Sequence, residues 1–340
     1  MRIIRRISAI IIGFVFFVAG LLKLMDPVGA GLVVEEYFKF LHLGFLRPLS
    51  YFTGAAGALA ETLLGAALLC GVWRRITGIV TLAALAFFTT LTLVLLIFNP
   101  SMDCGCFGEA VHMTHLQSFL KNIALLALWA VAFLPPGSQE PTRKVKYVSF
   151  GITGVSVCMF FLYSALSLPL VDFTNYKSGA ELIGEGLSFS DAGGEYADSL
   201  ALDDKVLISS VYAPVKVSPK EWDKISSVMH EASACGYTAI LLAASYPEEI
   251  SETAGPELLP YTYFADRKTL LTLNRSNGGL TYAADGQIIR KWSLNRPPHK
   301  NELEAMLQAD PTETMITQMS ADKLKLQGFL LYVFAVMMLL

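Results

Sequence analysis

Two cysteines separated by one glycine are the residues of this sequence best suited to chemistry. Cys104 and Cys106 stand in the run Asp103–Cys104–Gly105–Cys106–Phe107–Gly108. A disulfide needs Cα atoms roughly 4.4–6.8 Å apart, and Gly105 lets the chain bend that far because glycine tolerates positive φ. So small a ring is strained, and strained, exposed disulfides are usually labile or catalytic. A helix predicted to begin near Thr114 would favour a thiolate at its positive end. The motif therefore favours a redox pair.

Two other interpretations of the same loop stay open. His112 and His115 follow the cysteines in the pattern C-x-C-x5-H-x2-H, and two cysteines with two histidines form a good tetrahedral zinc set. A purely structural disulfide that closes the loop is the third interpretation. Within the redox interpretation, Cys104 is expected to attack and Cys106 to resolve. If the charge of Asp103 raises the pKa of the nearer thiol, the two roles are exchanged.

The other three cysteines are expected to be inert. Cys70 and Cys158 lie inside apolar runs, where a buried cysteine acts as a small hydrophobe. Cys235 stands at the end of a predicted helix, just before Gly236, and a helix C-terminus disfavours a thiolate.

Two charged residues interrupt the apolar runs. Glu61 lies in the middle of one run, so we expect it to be protonated or to pair with a base on another helix. It is a weak candidate for a proton acceptor in quinone chemistry. Lys23 lies near the end of another run and is expected to snorkel toward the membrane surface.

The composition indicates a membrane protein. Of 340 residues, 54% are hydrophobic and 16% are charged, against roughly 25% charged in ordinary soluble domains. A disordered chain is excluded, and a net charge of −3 without a basic block argues against nucleic-acid binding. A helix needs about 20 apolar residues to cross a bilayer. Five stretches meet or approach this length: Ile7–Leu24, Tyr51–Trp73, Ile76–Phe98, Phe119–Pro136 and Tyr147–Leu170.

Basic residues predict how these spans are oriented. Arginine and lysine cluster before the first span, between the second and third, and between the fourth and fifth. Because positive loops stay in the cytoplasm, we expect the protein in the bacterial cytoplasmic (inner) membrane, surrounded by lipid, with a cytoplasmic N-terminus. Residues 25–50, 99–118 and 171–326 are then outside, where thiols meet an oxidising compartment. The apolar segment 326–340 is expected to be an interfacial segment or a truncated sixth span.

The hydrophobic period changes in the second half of the chain. Residues 171–199 are interpreted as a linker and residues 200–312 as an extracytoplasmic α/β domain, in the order β-α-β-α-β-α-β-β-α with a hairpin at Asp285–Gly286. That order resembles a thioredoxin fold. Redox members of that fold carry C-x-x-C where this chain has Tyr212–Ala213–Pro214–Val215–Lys216–Val217–Ser218, and Gly278–Gly279 replaces their cis-proline. The domain is therefore expected to have the thioredoxin shape without its dithiol chemistry.

The first four spans resemble the DoxX/MauE group of bacterial membrane proteins over about residues 5–136. The segments that carry the resemblance are Ala19–Gly20–Leu21–Leu22–Lys23–Leu24–Met25–Asp26–Pro27, Glu61–Thr62–Leu63–Leu64–Gly65, Gly71 and, above all, Asp103–Gly108. The resemblance implies a four-helix membrane domain at 1–140, here followed by a fifth transmembrane helix at 141–170. The expected fold class is thus an α-helical integral membrane bundle with an extracytoplasmic α/β thioredoxin-like domain.

The resemblance also carries functional expectations. MauE is implicated in maturing the disulfide-rich subunit of methylamine dehydrogenase, and DoxX relatives in thiol or sulfur redox work. Thiol–disulfide or quinone-linked electron transfer at the outer membrane face is therefore implied, with a quinone as candidate cofactor and an exported client or redox partner. The alternative is a non-enzymatic assembly or binding protein whose outer domain recruits a client.

The orientation can be tested with a reporter fused near Ser190. We expect a reporter that needs an oxidising compartment to be active at this position, because the positive loops hold the N-terminus in the cytoplasm. Activity of a cytoplasm-specific reporter at the same position would contradict the predicted topology.

Overall fold

Long apolar runs in the first part of the chain form helices. In the computed structural model, which describes residues 2–134, 142–245 and 247–340, five helices are long and apolar enough to cross a membrane. The chain separates into two units, Met1–Ala165 with Phe329–Leu340, and Leu166–Gly328. The first unit contains the helices α1 (Arg2–Met25), α2 (Pro27–Phe40), α3 (Ser50–Cys70), α4 (Arg74–Phe98), α5 (His115–Phe133) and α6 (Lys144–Leu166), and the short strand β1 (Cys106–Glu109).

The five predicted spans are confirmed, with shifted boundaries. The spans run over Ile3–Met25, Gly44–Cys70, Arg74–Phe98, His115–Phe133 and Lys144–Leu166. The predicted fourth span reached Pro136, which lies outside the described residues. The fifth span ends four residues before the predicted Leu170. Cys158 on α6 is exposed rather than buried as expected, because much of α6 is not covered by other parts of the protein.

Small residues allow α1 and α3 to pack at very short range. A Cβ on Gly20 of α1 would collide with Thr62 of α3, and a Cβ on Gly65 would collide with the α1 backbone at Phe17. Such contacts are typical of membrane helices, whose association depends on close packing. The α1–α3 pair brings the end of α1, with Lys23, beside the middle of α3.

The helix α2 is too short to be a membrane span and starts directly after α1. Asp26 caps it by accepting a hydrogen bond from the Gly29 amide at 2.9 Å, and Pro27 occupies its first position, where the missing N–H costs nothing. Its backbone contacts the start of α3, because a Cβ on Gly54 would lie 2.8 Å from the Ala30 carbonyl. This helix therefore lies at the end of the bundle where α1 ends and α3 begins.

The second unit is a mixed sheet covered by helices, consistent with the predicted thioredoxin-like domain. Its strands follow the spatial order β2-β5-β4-β3-β6-β7, with β3, β4 and β5 parallel and β6 and β7 antiparallel. They are β2 (Phe189–Ser190), β3 (Val206–Val211), β4 (Thr238–Ala243), β5 (Thr262–Ala265), β6 (Gly279–Ala284) and β7 (Gln287–Trp292). The helices are α7 (Pro219–Cys235), α8 (Pro247–Ala254), α9 (Arg267–Leu273), α10 (Lys300–Gln308) and α11 (Pro311–Leu339).

Local signals set these elements. Ser218 and Glu221 form the capping box that starts α7, and Asp285 and Gly286 both have positive φ in the hairpin turn, as the D-G pair requires. Alternate residues of β3 enter separate cores on the two faces of the sheet, with Leu207 in one and Ile208 in the other. The sheet is therefore buried on both faces.

The interpretation of residues 171–199 as a linker is wrong. Tyr176, Leu182, Leu187 and Phe189 are all buried in the core on one face of the sheet, and residues 189–190 form the edge strand β2. This segment buries apolar side chains without regular periodicity, which is why the sequence pattern does not reveal it.

At the position where redox relatives carry C-x-x-C, this chain has a short turn that is fixed by hydrogen bonds between a side-chain amide and the backbone. Residues Pro214–Lys216 form a short 3-10 turn before α7. The side chain of Asn277 accepts from the Ala213 amide at 3.0 Å and donates to the Ala213 carbonyl at 2.9 Å. Among the described residues no peptide bond is cis. No thiol is present at this point of the sheet.

The apolar C-terminal segment is the last part of the long helix α11. Within the first unit, Tyr332 stacks on Phe160 of α6 with ring centroids 5.4 Å apart, and Ser156 donates a hydrogen bond to its hydroxyl at 3.1 Å. Lys146, near the start of α6, donates to the Leu340 carbonyl. The segment thus packs antiparallel to α6 and is not simply an interfacial tail.

The contact between α1 and α3 gives a stability prediction. Gly20→Val should lower the thermal midpoint of the detergent-solubilised protein, because its side chain would collide with Thr62; overpacking costs about 1–3 kcal/mol. Gly151→Val on α6, where a Cβ meets nothing within 4 Å, is the matched control. Equal midpoints for the two variants would contradict the packing.

Candidate functional site

The loop between α4 and α5 carries both candidate thiols to one end of the bundle. Thr114 caps α5 by accepting from the Gln117 amide at 3.2 Å, and its own amide donates to the Gln117 side chain at 3.0 Å. This capping box fixes where α5 begins, so the residues of its first turns face the loop. The end of α1, the helix α2 and the first half of α3 lie at the same end.

Cys104 is the buried thiol, with a residue exposure of 5%. Its Sγ lies 2.7 Å from the Ser118 hydroxyl on the first turn of α5, and the two share a hydrogen bond. The Tyr37 hydroxyl of α2 donates a hydrogen bond to the Cys104 carbonyl. Two helices therefore hold this residue, one through its side chain and one through its backbone.

Gly105 is required between the thiols for two reasons. Its φ is +59°, a left-handed conformation that costs other residues energy. A Cβ at this position would also collide with the side chain of Val33 on α2. The bend between the cysteines thus depends on a close contact with α2, as well as on the chain freedom that the sequence indicates.

Cys106 is partly buried and has the lower pKa of the two thiols. A hydrogen bond from the Cys104 thiol lowers the pKa of Cys106 to about 5; burial opposes this effect, and the ammonium groups of Lys121 and Lys23 reinforce it. The same hydrogen bond, together with burial, raises the pKa of Cys104. The two pKa shifts therefore favour a thiolate on Cys106 and a protonated Cys104.

These pKa directions run against the expectation that Cys104 attacks first. The expected alternative, in which Cys106 attacks and Cys104 resolves, agrees with these pKa directions. The charge of Asp103, which was the expected cause, is not the main one. Asp103 is exposed and lies 3.0 Å from the His112 imidazole, whereas the hydrogen bond between the thiols is the largest influence on both. The inequality arises from the direction of that hydrogen bond and from the cations around Cys106.

The histidines of the zinc alternative do not join the thiols. His112 contacts Asp103, and the His115 Nε2 lies 3.1 Å from the Pro100 carbonyl. Across residues 2–134, 142–245 and 247–340, no group of three or more His, Cys, Asp and Glu side chains is arranged to hold a metal ion. The residues present do not fit a Cys2His2 site.

Glu61 and Lys23 form an ion pair between α3 and α1. The Lys23 Nζ lies 2.6 Å from the Glu61 Oε2, with the two side chains 15% and 11% exposed. Lys23 also lies 5.7 Å from the centre of the Phe88 ring on α4. Glu61 therefore pairs with a base on another helix, as expected. The expectation that Lys23 snorkels is wrong, because Glu61 draws it into the bundle.

A cavity of about 320 Å³ lies beside the two thiols, which is within the size range of small-molecule sites. Most of its walls are apolar and come from α2, α3 and α4. Its main polar lining residues are Lys23, Tyr37, Glu61, Cys104, Cys106, Lys121 and Asn122. The cavity thus connects the thiols with the Lys23–Glu61 ion pair.

The sequence alone did not predict that Ser118, Lys121 and Tyr37 lie beside the thiols. Ser118, Lys121 and Asn122 recur at helical spacing in the otherwise apolar helix α5, and this polar stripe is a signal that could have been found. Tyr37 lies in a segment of mixed composition, and nothing in the sequence links it to the loop. Cys70 lies buried in α3 and Cys235 ends α7, both as expected.

The sequence of this region is similar to one known family. Residues 1–135 match the family described as Methylamine utilisation protein MauE. Residues 1–135 are therefore similar to the MauE family. In addition, Protein TlpB of Flavobacterium psychrophilum is 27% identical over 168 residues, which cover 48% of this chain and 46% of TlpB. The match thus spans about half the length of that relative. This MauE-like region, residues 1–135, contains both cysteines, the ion pair and the residues that line the cavity.

The thiol pair gives a pH prediction. With Cys70, Cys158 and Cys235 replaced by alanine, alkylation of Cys106 should reach half its maximal rate near pH 5, because only the thiolate above its pKa of about 5 reacts. Cys104→Ala should raise that midpoint by about one to two units, since a hydrogen bond to a charged group is worth about 1.5–3 kcal/mol.

Peptide mass spectrometry after timed alkylation would measure these rates for each cysteine. Lys121→Met should also raise the midpoint, whereas Lys39→Met should not, because Lys39 contacts Glu35 instead. A midpoint near 8.5, the ordinary value for a cysteine, would show that the thiols do not interact in this way.

Proposed function

We propose that the MauE-like region, residues 1–135, is a membrane thiol–disulfide oxidoreductase component that passes disulfides to exported proteins. The observation that carries this proposal is the unequal thiol pair: a buried, protonated Cys104 donates its hydrogen bond to a partly buried Cys106 thiolate. Low-pKa, accessible thiolates are typical of redox cysteines. The MauE match and the five candidate spans support a membrane protein with such a role.

The stabilised thiolate favours the oxidising direction. A dithiol whose reduced form is stabilised gives up its disulfide readily, so its disulfide is a strong oxidant. The hydrogen bond and the two nearby ammonium groups stabilise the reduced pair, and the single-residue spacing strains the oxidised one. Both effects favour transfer of the disulfide to a client.

The exchange proceeds in two steps. A client thiolate attacks the Cys106 sulfur, the Cys104–Cys106 bond breaks, and Cys104 takes up a proton. The second client thiolate then attacks the client sulfur of the mixed disulfide and expels Cys106 as a thiolate, which leaves easily because its pKa is low. The client gains one disulfide, and the pair gains two electrons.

The two electrons must then leave the pair. The MauE resemblance implies a quinone, which when bound would supply a two-electron, two-proton acceptor, and the residues fit such a group. The cavity is mostly apolar, touches both thiols and has ammonium donors in its wall. Glu61 holds the Lys23 ammonium in that wall and is the candidate to exchange protons there.

We place this chemistry at the outer face of the bacterial cytoplasmic membrane. The distribution of basic residues supports a cytoplasmic N-terminus, and an oxidising compartment suits disulfide transfer. The second unit, which has no thiol at the position of the missing C-x-x-C, would contact the client without exchanging electrons with it.

Mixed-disulfide trapping tests the proposal. Cys104→Ser should accumulate an adduct with exported proteins through Cys106. In this variant the Cys106 thiolate attacks a client disulfide and releases one client thiolate, and no neighbouring Cys104 thiol is left to expel the bound client. The adduct should disappear on reduction and be visible on non-reducing gels after acid quenching. Cys106→Ser, which removes the reactive thiolate, is the matched control and should give no adduct.

The non-enzymatic alternative predicts a different pattern. If the chain only assembles or recruits a client, both cysteine variants should keep full function in cells and neither should form a reducible adduct. That result would overturn the proposed exchange and leave the loop as a structural element.

A further inference from the structure

The cavity beside the thiols has its rim on the outside of the bundle. Thr53 and Gly57 of α3 and Phe87 of α4 line it, and all three are exposed, Phe87 by 63%. These residues lie inside two of the candidate membrane spans. The cavity therefore opens between α3 and α4, on a surface that faces lipid rather than water.

The inner end of the cavity has a different character. Cys104, Cys106, Lys23, Glu61 and Lys121 line it there. Two thiols that must lose two electrons thus meet ammonium groups that can donate hydrogen bonds to oxygen. An occupant suited to both ends has a polar, electron-accepting head with carbonyl oxygens and an apolar tail.

From this arrangement we infer that the cavity takes a membrane-dissolved quinone, which enters sideways between α3 and α4 and is held by Lys23. The inference rests on the proposed function and adds to it the route and the residue that binds the head group. Lys23 is fixed by Glu61 at 2.6 Å and by its position 5.7 Å from the Phe88 ring, so its ammonium is held in the cavity without the ligand.

The proton and electron balance fits these residues. Closure of the Cys104–Cys106 bond breaks the Cys104 S–H bond and releases two electrons and one proton. Reduction of a quinone to a quinol consumes two electrons and two protons. The Lys23 ammonium donates the second proton, and Glu61, which contacts it, returns a proton to Lys23 from water.

The rim offers a substitution that closes the entrance without disturbing the fold. A Cβ on Gly57 meets nothing within 4 Å, so Gly57→Leu fills the opening and leaves the helix contacts intact. Gly151→Leu on α6 is the matched control, because a Cβ there also meets nothing within 4 Å and Gly151 does not line the cavity.

Photolabelling with a short-tailed azidoquinone measures binding directly in the full-length protein in lipid nanodiscs. We expect label on α3 and α4 peptides of the natural sequence, displaced by unlabelled quinone. Gly57→Leu should reduce this labelling at least about tenfold, and Gly151→Leu should not. Lys23→Met should weaken it as well, because the head group loses its donor.

Oxidation of the thiol pair supplies the second readout. The water-soluble oxidant diamide should close the Cys104–Cys106 bond at the same rate in Gly57→Leu and in the natural sequence, whereas a short-tailed quinone should close it at least about tenfold more slowly in the variant. If diamide is also slow in Gly57→Leu, that substitution has damaged the thiol pair, and Thr53→Leu at the same rim replaces it in the test. Slow oxidation by quinone but not by diamide in Thr53→Leu supports a blocked entrance.

The outcomes separate the two proposals. If diamide forms no Cys104–Cys106 bond in the natural sequence, the proposed redox function fails. If the bond forms but the azidoquinone labels neither α3 nor α4, or the label is not displaced by unlabelled quinone, only the inference about the cavity fails. Undiminished labelling of Gly57→Leu would likewise overturn the sideways entrance.

Discussion

The hydrogen bond from the Cys104 thiol to the Cys106 sulfur makes two chemically identical side chains unequal. Burial raises the pKa of both thiols, but Cys104 is almost fully enclosed, whereas the ammonium groups of Lys121 and Lys23 lower the pKa of Cys106. Charge-assisted hydrogen bonds are about twice as strong as neutral ones. A modest difference in surroundings therefore becomes a large difference in pKa.

That hydrogen bond depends in turn on how tightly the helices pack. Gly105 has a positive φ, and Val33 of α2 leaves no room for a Cβ at this position. Tyr37 of the same helix holds the Cys104 carbonyl. The small residues between α1 and α3 bring Lys23 to Glu61. An unpaired ammonium would be costly in this setting, so the carboxylate allows a cation to stay close to the thiolate.

The sequence predicted those features that depend on local pattern. The five spans, the strand order around the Asp285–Gly286 hairpin and the capping box of α7 all follow from periodicity or from residues a few positions apart. The roles of the two thiols, the Lys23–Glu61 pair and the contact of Tyr37 with the loop depend on distances between helices. No local pattern records those distances. The segment 171–199 was misread because irregular chain buries its side chains without a period.

The second unit contains a single cysteine, Cys235, and therefore has no thiol pair of its own. The fold has the strand arrangement expected of a thioredoxin-like domain, but Asn277 makes two hydrogen bonds with the Ala213 backbone at the place where thiols would stand. Cys235 lies at the C-terminal end of α7, which disfavours a thiolate, and in the first unit Cys70 and Cys158 lie on the separate helices α3 and α6. In the part of the chain that the structure describes, the proposed dithiol exchange is therefore assigned to the Cys104–Gly105–Cys106 loop.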